Sequence, residues 1–270
     1  MSVINTNVSA LSAQNALRTN ARSMNSNMEQ LSTGSRVNSA KDDAAGLAIG
    51  QNMTTQIRGL NMAVRNVNDA VNMMQTAEGA MIEQTNMLQR MRELAVQSAS
   101  GTYSATQRSY MTTEYNALVT QIGSISSQSE WNGTNLMNAT GTFSFQSGSA
   151  SGQTISVVIT SMTTASLGIN SSSVTTTTTA SAAIALLDTA INSINSQRAT
   201  IGASINQMTY AADNLTNISA NASASRSTVM DTDYATASTN LAKNQIIQQA
   251  ATAMLAQANQ QPQAVLSLLK

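Results

Sequence analysis

Asp42 and Asp43 are the only adjacent carboxylates in the chain, and paired carboxylates are a natural start for metal binding or acid–base chemistry. Nothing in the sequence completes either kind of site. The chain has no His and no Cys. Without Cys there is no thiolate nucleophile, disulfide, Cys-ligated zinc or iron–sulfur cluster. Without His the usual general base, the Ser-His-Asp triad and the commonest metal ligand are missing. Asp42 and Asp43 read better as a helix cap and a charge at a helix N-terminus. Asn-x-Ser/Thr triplets, such as Asn214-Leu-Thr216, arise by chance in a chain this rich in those residues. No nucleophile–base pair, phosphate loop or cofactor motif is visible, so no cofactor or metal is expected and an enzyme is the least favoured class.

The composition points to a thin core along long helices. Aromatic residues are 3% of the 270 and charged residues 10%, where about a quarter is usual for charge. Ser, Thr, Asn and Gln make up about 44% of the chain. The 16 Met residues suit adaptable packing between helices. Thirteen basic residues balance thirteen acidic ones, so there is no electrostatic footprint for nucleic acid or anionic lipid. Low net charge also leaves self-association weakly opposed. No stretch approaches the roughly 20 apolar residues of a membrane span. The start has no basic region followed by an apolar core, so the expectation is a cytosolic protein or one exported without a cleaved signal peptide.

The elements follow from periodicity. Residues 3–33 read as an amphipathic helix, with Leu17, Ala21, Met24, Met28 and Leu31 on one face and Gly34 as its stop. Residues 33–43 are a polar, turn-rich joint. A second helix starts near Asp42 or Asp43 and runs to about Ser98. Its series, Ile57, Leu60, Val64, Val67, Val71, Met74, Met81, Leu88 and Ala95, makes a coiled-coil seam with Glu78, Thr85 and Arg92 in the intervening slots. At 1.5 Å per residue such a helix spans about 80 Å. A third helix covers about 104–128, and Asn132-Gly133 marks a turn. Residues 142–146 and 154–159 read as a β-hairpin, and the Ser/Thr-rich stretch 161–181 as an exposed loop. Residues 182–229 resume the seam, and a last helix covers about 230–260.

Both ends are amphipathic helices with seams too narrow to fold alone. Pairing the first helix with the last brings the termini together and leaves apolar edge uncovered. Head-to-tail contacts that do not close would then give a helical filament. For the two central seams the reading is internal core. For 1–33 and 235–270 it is packing between subunits.

Particular motifs carry a family resemblance. Leu31-Ser-Thr-Gly-Ser-Arg-Val-Asn-Ser-Ala-Lys-Asp-Asp-Ala-Ala-Gly-Leu-Ala-Ile49 resembles the joint region of bacterial flagellins. So do Val3-Ile-Asn-Thr-Asn7, Asp231-Thr-Asp-Tyr-Ala-Thr236, Leu255-Ala-Gln-Ala-Asn-Gln-Gln-Pro-Gln263 and Val265-Leu-Ser-Leu-Leu269. The resemblance covers about 1–140 and 181–270, and with about 40 residues between these parts it implies a short form lacking the variable outer domains. The fold it implies is mainly α: a long antiparallel helical rod with a small β-hairpin and paired termini. Residues 1–43 with 230–270 would form an inner domain lining the filament channel. Residues 44–229 would form an outer rod, with the hairpin near 140–160 and the loop at 161–181.

The resemblance further implies an extracellular flagellar filament subunit for swimming motility. Its partners would be other copies of itself, an export chaperone held through about 230–270, and the filament cap and hook–filament junction proteins. Polymerisation would involve Leu17, Met24, Met28, Leu31, Leu241, Ile247, Met254, Val265, Leu266 and Leu269. O-linked glycans on 161–181 are admitted by the family.

The segment Leu88-Gln-Arg-Met-Arg-Glu-Leu-Ala-Val-Gln97 looks like the one bound by the vertebrate flagellin-sensing Toll-like receptor. Arg90, Leu94 and Glu114 would be contacts, with Gln89 and Gln97 beside them. Arg90 and Leu94 are an i, i+4 pair lying off the seam series, so both are expected to be exposed. The same face could pack against a neighbouring subunit, and both uses are compatible. Two other classes stay open at this point: a hook–filament junction protein and an unrelated coiled-coil signalling or secretion-tip protein.

Overall fold

The computed structural model describes residues 6–268, with side chains described through residue 260. In order the elements are α1 (Val8–Thr33), α2 (Ala44–Ala99), α3 (Ala105–Gln128), β1 (Glu130–Trp131), β2 (Thr134–Asn135), β3 (Gly141–Gln146), β4 (Thr154–Ile159), α4 (Thr177–Met230) and α5 (Tyr234–Leu268). The fold is mainly helical with two small antiparallel strand pairs, as the periodicity requires. Two compact units are formed, Met1–Ile57 with Ala220–Lys270, and Arg58–Ser219.

In the first unit the caps are set by local chemistry. Asn7 caps α1, its Oδ1 accepting from Ala10 N at 3.0 Å. Gly34 ends α1 at φ 71°, its N–H donating to Gln30 O at 2.9 Å. Asp43 caps α2 by accepting from Gly46 N at 2.8 Å. Asp42 instead closes the preceding turn, accepting from Ser39 N at 2.9 Å and Ser39 Oγ at 2.8 Å. Asp233 caps α5 through Ala235 N at 2.9 Å and the Thr236 hydroxyl at 2.7 Å. The neighbouring carboxylates are thus occupied with backbone and hydroxyl donors. Among the described residues no cluster of metal-ligating side chains occurs.

α1 and α5 pack antiparallel. The burial along α1 corrects the expected seam. Its half-buried and buried positions include Ala10, Ala13, Leu17, Asn20, Ala21, Met24, Asn27 and Leu31, so Asn20 and Asn27 join the expected face and Met28 leaves it. Met28 turns outward at 53% exposed. The reason is polar: Asn20 Nδ2 donates to the Asn244 carbonyl at 2.8 Å, which holds that face of α1 inward. The last helix, expected at about 230–260, is present with shifted bounds. α4 ends at Met230, α5 begins at Tyr234, and α5 continues past Pro262 to Leu268.

The second unit packs α2, α3 and α4 around Met74, Met81, Leu88, Met91, Tyr115, Ile122, Leu187, Ile194 and Ile201. Most of the expected α2 series holds, Ile57, Leu60, Val67, Met74, Met81, Leu88 and Ala95 being buried, and on α4 Leu187, Ile194, Ile201, Met208 and Leu215 are buried. The buried stripe is also wider than one series, extending to the adjacent positions. Ala63, Ala70, Ala77, Gln84 and Met91 are buried, while Val64 and Val71 are only half-buried. Gln84 is tolerated because its Nε2 donates to Ser126 Oγ at 2.9 Å and the Met162 carbonyl at 3.2 Å.

Two short hairpins follow α3. Asn132 (φ 48°) and Gly133 (φ 78°) form a two-residue turn joining β1 to β2, so the expected turn is a small hairpin. β3 and β4 pair from Gly141↔Ile159 to Gln146↔Thr154. Phe143, Phe145, Ile155, Val157 and Ile159 share the inward face, and Thr142, Ser144 and Ser156 point out.

The exposed loop expected at 161–181 is corrected. Met162, Leu167, Ile169, Val174 and Ala180 are all 6% exposed or less, so the stretch is pinned to the core at five points. Its last part belongs to α4, which starts at Thr177. Thr176 and Thr179 cap that helix reciprocally: each backbone N–H donates to the other's hydroxyl, at 3.1 and 3.2 Å.

Candidate functional site

Two surfaces collect the residues singled out from the sequence, one in each unit. In the second unit, Arg90 projects from α2 toward α3. Its Nε donates to Glu114 Oε1 at 2.9 Å and its Nη1 to Glu93 Oε2 at 3.0 Å. The hydrogen bond to Glu114, reinforced by Glu93, raises the Arg90 pKa above its ordinary value. One cation is therefore fixed between two carboxylates on an exposed helical surface. Gln89 and Gln97 are exposed beside it, and Gln97 Nε2 donates to the Tyr103 hydroxyl at 3.1 Å. Gln89, Arg92, Glu93, Val96 and Gln97 line an open cleft of about 580 Å³. Arg92 faces α4, its Nε donating to Asp188 Oδ1 at 2.6 Å.

Leu94 departs from expectation. It is 2% exposed, part of the core and not of the surface. The helix α2 packs against α3 and α4 together, so it buries a wider stripe than one seam would, and Leu94 lies within it. The structure brings together Gln89, Arg90, Gln97 and Glu114 at the surface and sets Leu94 beneath them.

Sequence reasoning missed Arg108. Only 9% exposed, it donates to the carbonyls of Ser98 at 3.1 Å, Ser100 at 3.3 Å and Tyr103. It thereby satisfies the end of α2 and fixes the loop into α3. Its place nine residues after the helix end gives no periodic signal.

The other surface is the outside of the α1–α5 pair. Leu17, Met24, Leu31 and Leu241 are half-buried between these helices. Met28, Ile247 and Met254 are exposed, at 53%, 40% and 65%. Val265, Leu266 and Leu269 lie outside the residues whose side chains are described. Val8 (64%), Leu11 (54%) and Ile246 (67%) add to the exposed set. Val8, Ser12, Ala13, Ala16, Ala251 and Met254 line a shallow groove of about 520 Å³.

The ends of this pair are tied where the chain enters and leaves. Ser35 bridges Asp231 in antiparallel fashion, and Thr232 N donates to Gly34 O at 3.0 Å. Arg36 closes α4: its N donates to Met230 O and its Nη2 to Val229 O, both at 2.7 Å. These are carbonyls for which no helical amide follows.

Residues 4–142 match the family model of the bacterial flagellin N-terminal helical region, and residues 184–269 match that of the C-terminal helical region. The chain belongs to the bacterial flagellin family. The flagellar filament 33 kDa core protein of Treponema phagedenis is 40% identical, the alignment covering 99% of this chain and all of that one. Flagellin A of Vibrio cholerae is 33% identical over an alignment of 375 residues that covers 99% of each. The alignment is longer than the 270 residues of this chain, so that relative carries additional residues. The crystal structure of Bacillus cereus flagellin superimposes with a TM-score of 0.52 at 32% identity, covering 56% of this chain and 88% of that one. Flagellins are a structural family and not enzymes.

Proposed function

We propose that this flagellin polymerises with copies of itself into an open helical filament outside the cell, serving swimming motility. The observation that carries the reading is the exposed apolar surface of the first unit. Val8, Leu11, Met28, Ile246 and Met254 are each more than half exposed on α1 and α5. Burial against further copies would stabilise them by about 25 cal/mol per Å² of apolar surface, less the ordering cost. The name of the Treponema relative, a filament core protein, supports the same reading. Export without a cleaved signal, a chaperone on about 230–270, and cap and junction partners complete the proposal by family.

The test is seeded growth. Purified chain is added to short sheared filaments and imaged by negative-stain electron microscopy, beside a chain lacking 1–33 and 235–270. Long uniform filaments from the full chain only are the expected result. Closed oligomers or monomers at all salt concentrations would overturn it.

A second reading rests on the exposed Arg90 ion-pair cluster. The monomer is recognised by the vertebrate flagellin-sensing Toll-like receptor through Gln89, Arg90, Gln97 and Glu114. Leu94 acts from beneath by holding the helix that presents them.

A further inference from the structure

Asn20 is the one buried side chain of α1, at 8% exposed, and it is polar. Its apolar neighbours on the seam are small or only half-buried: Ala10, Ala13, Leu17, Met24 and Leu31. A seam this uniform distinguishes poorly between one alignment of α1 on α5 and another shifted by a heptad, about 10 Å along the axis. Two asparagines break that degeneracy. Asn20 Nδ2 donates to the Asn244 carbonyl at 2.8 Å, and Asn7 Nδ2 donates to the Ala258 carbonyl at 2.7 Å. Thirteen residues separate the two donors and fourteen the two acceptors, so a single antiparallel alignment satisfies both.

The Ala258 carbonyl is not an ordinary acceptor. In a helix it would receive the amide of the residue four further on, which here is Pro262, the only proline in the chain. Proline has no N–H. The helix α5 nevertheless runs through it to Leu268. Asn7 therefore supplies a hydrogen bond at the one place inside α5 where the helix cannot make its own. That carbonyl occurs once, so it marks one position and does not repeat with the heptad.

We infer that Asn7 and Asn20 are positioning residues that fix the register of α1 against α5, with the carbonyl freed by Pro262 as the reference mark. The inference concerns the first unit alone and stands apart from the assembly reading. It gives register to polar ties, while the apolar seam gives only adhesion.

The absence of Cys makes the test clean. Ala13 and Ala251 line one groove in the structure. A chain carrying Ala13→Cys and Ala251→Cys reports the native register by oxidative cross-linking. One carrying Ala13→Cys and Ala258→Cys reports a slip of one heptad. Both are prepared free and after addition to filament seeds, in the parent background and with Asn7→Ser plus Asn20→Leu. Asn7→Ser keeps the cap acceptor and removes the reaching donor. Asn20→Leu keeps the branched shape and the helix while removing the donor.

In the parent background the Ala13/Ala251 pair bridges and the Ala13/Ala258 pair does not. In the double variant the ratio shifts toward the slipped pair by about tenfold, the effect of roughly one net hydrogen bond. An undiminished native cross-link in the double variant overturns the inference. Loss of both cross-links also overturns it, since the asparagines would then be holding the helices together and not choosing their alignment. Failure of the native pair to bridge in the parent, free or seeded, overturns it as well.

Discussion

The Arg90 guanidinium and the Glu114 carboxylate meet at 2.9 Å across α2 and α3, from positions 24 residues apart in the chain. The pair is exposed, and a second carboxylate, Glu93, holds the same guanidinium at 3.0 Å. An exposed pair of this kind adds little to folding but fixes the direction in which its charges point. Receptor recognition through this surface predicts that Arg90→Ala lowers signalling by the free monomer by about tenfold to a hundredfold, as for an interfacial Arg anchor. Glu114→Ala weakens it less. The combined variant falls short of the product of the two losses, because each change already breaks the same pair. The thermal midpoint stays unchanged in all three. Undiminished signalling by Arg90→Ala sinks the assignment.

Leu94 gives a contrasting outcome. Its side chain is 2% exposed within the α2–α3–α4 core, so Leu94→Ala leaves a cavity. The expected cost is about 2–5 kcal/mol of unfolding free energy, read from the urea midpoint. Signalling by the protein that remains folded is preserved. Reduced signalling with an unchanged midpoint would return Leu94 to the surface.

The contrast between Arg90 and Leu94 also shows what the sequence discloses. A 3, 4 series identifies that α2 and α4 are seam helices, and Leu60, Val67, Met74, Met81, Leu88 and Ala95 are buried as that series requires. It does not reveal that α2 has two helical neighbours, and so it leaves Leu94 outside. Burial of Gln84, Arg108 and Asn20 was equally hidden, because each depends on carbonyl or hydroxyl partners distant in sequence. Caps are local and were legible: Gly34, Asp43 and the Asn132-Gly133 turn stand where residue type alone puts them. The 161–181 stretch misled in the other direction. Its hydroxyls dominate the composition, while five widely spaced small and apolar side chains decide the packing.

Gly34 is predicted to resist substitution. It sits at φ 71°, and a Cβ there would lie 3.1 Å from the Tyr234 hydroxyl, which itself donates to Leu31 O at 3.3 Å. The left-handed conformation alone costs a residue with a side chain about 1–2 kcal/mol. Gly34→Val is therefore expected to lower helix content in the first unit and slow seeded growth, Gly34→Asn doing so less, since Asn tolerates this conformation. Circular dichroism and growth rate read the two effects. Equal behaviour of Val and Asn at this position would show that backbone strain is not the determinant.

Acid sensitivity should arise at the caps. The Ser39 hydroxyl, followed by the backbone amides of Ser39 and Asn38, holds the Asp42 carboxyl below its ordinary value of 3.8. The Thr236 hydroxyl, with the amides of Ala235 and Thr236, does the same for Asp233. A carboxyl depressed on folding contributes stability that is complete above its unfolded value and is lost as the pH falls through its folded value. Both contributions are therefore full well above 3.8 and are lost progressively below it, as the pH falls through the depressed folded values. With no His in the chain, no imidazole titrates near neutrality. Ellipticity and sedimentable filament mass should stay level from about pH 7 to 4 and then fall, given carboxylate pKa values in that lower range. Asp233→Asn, which keeps a cap acceptor and removes the charge, should flatten the acid limb without moving the neutral plateau far. A midpoint between about pH 6 and 7 would be incompatible with carboxylate control, because ordinary carboxylates titrate near pH 4.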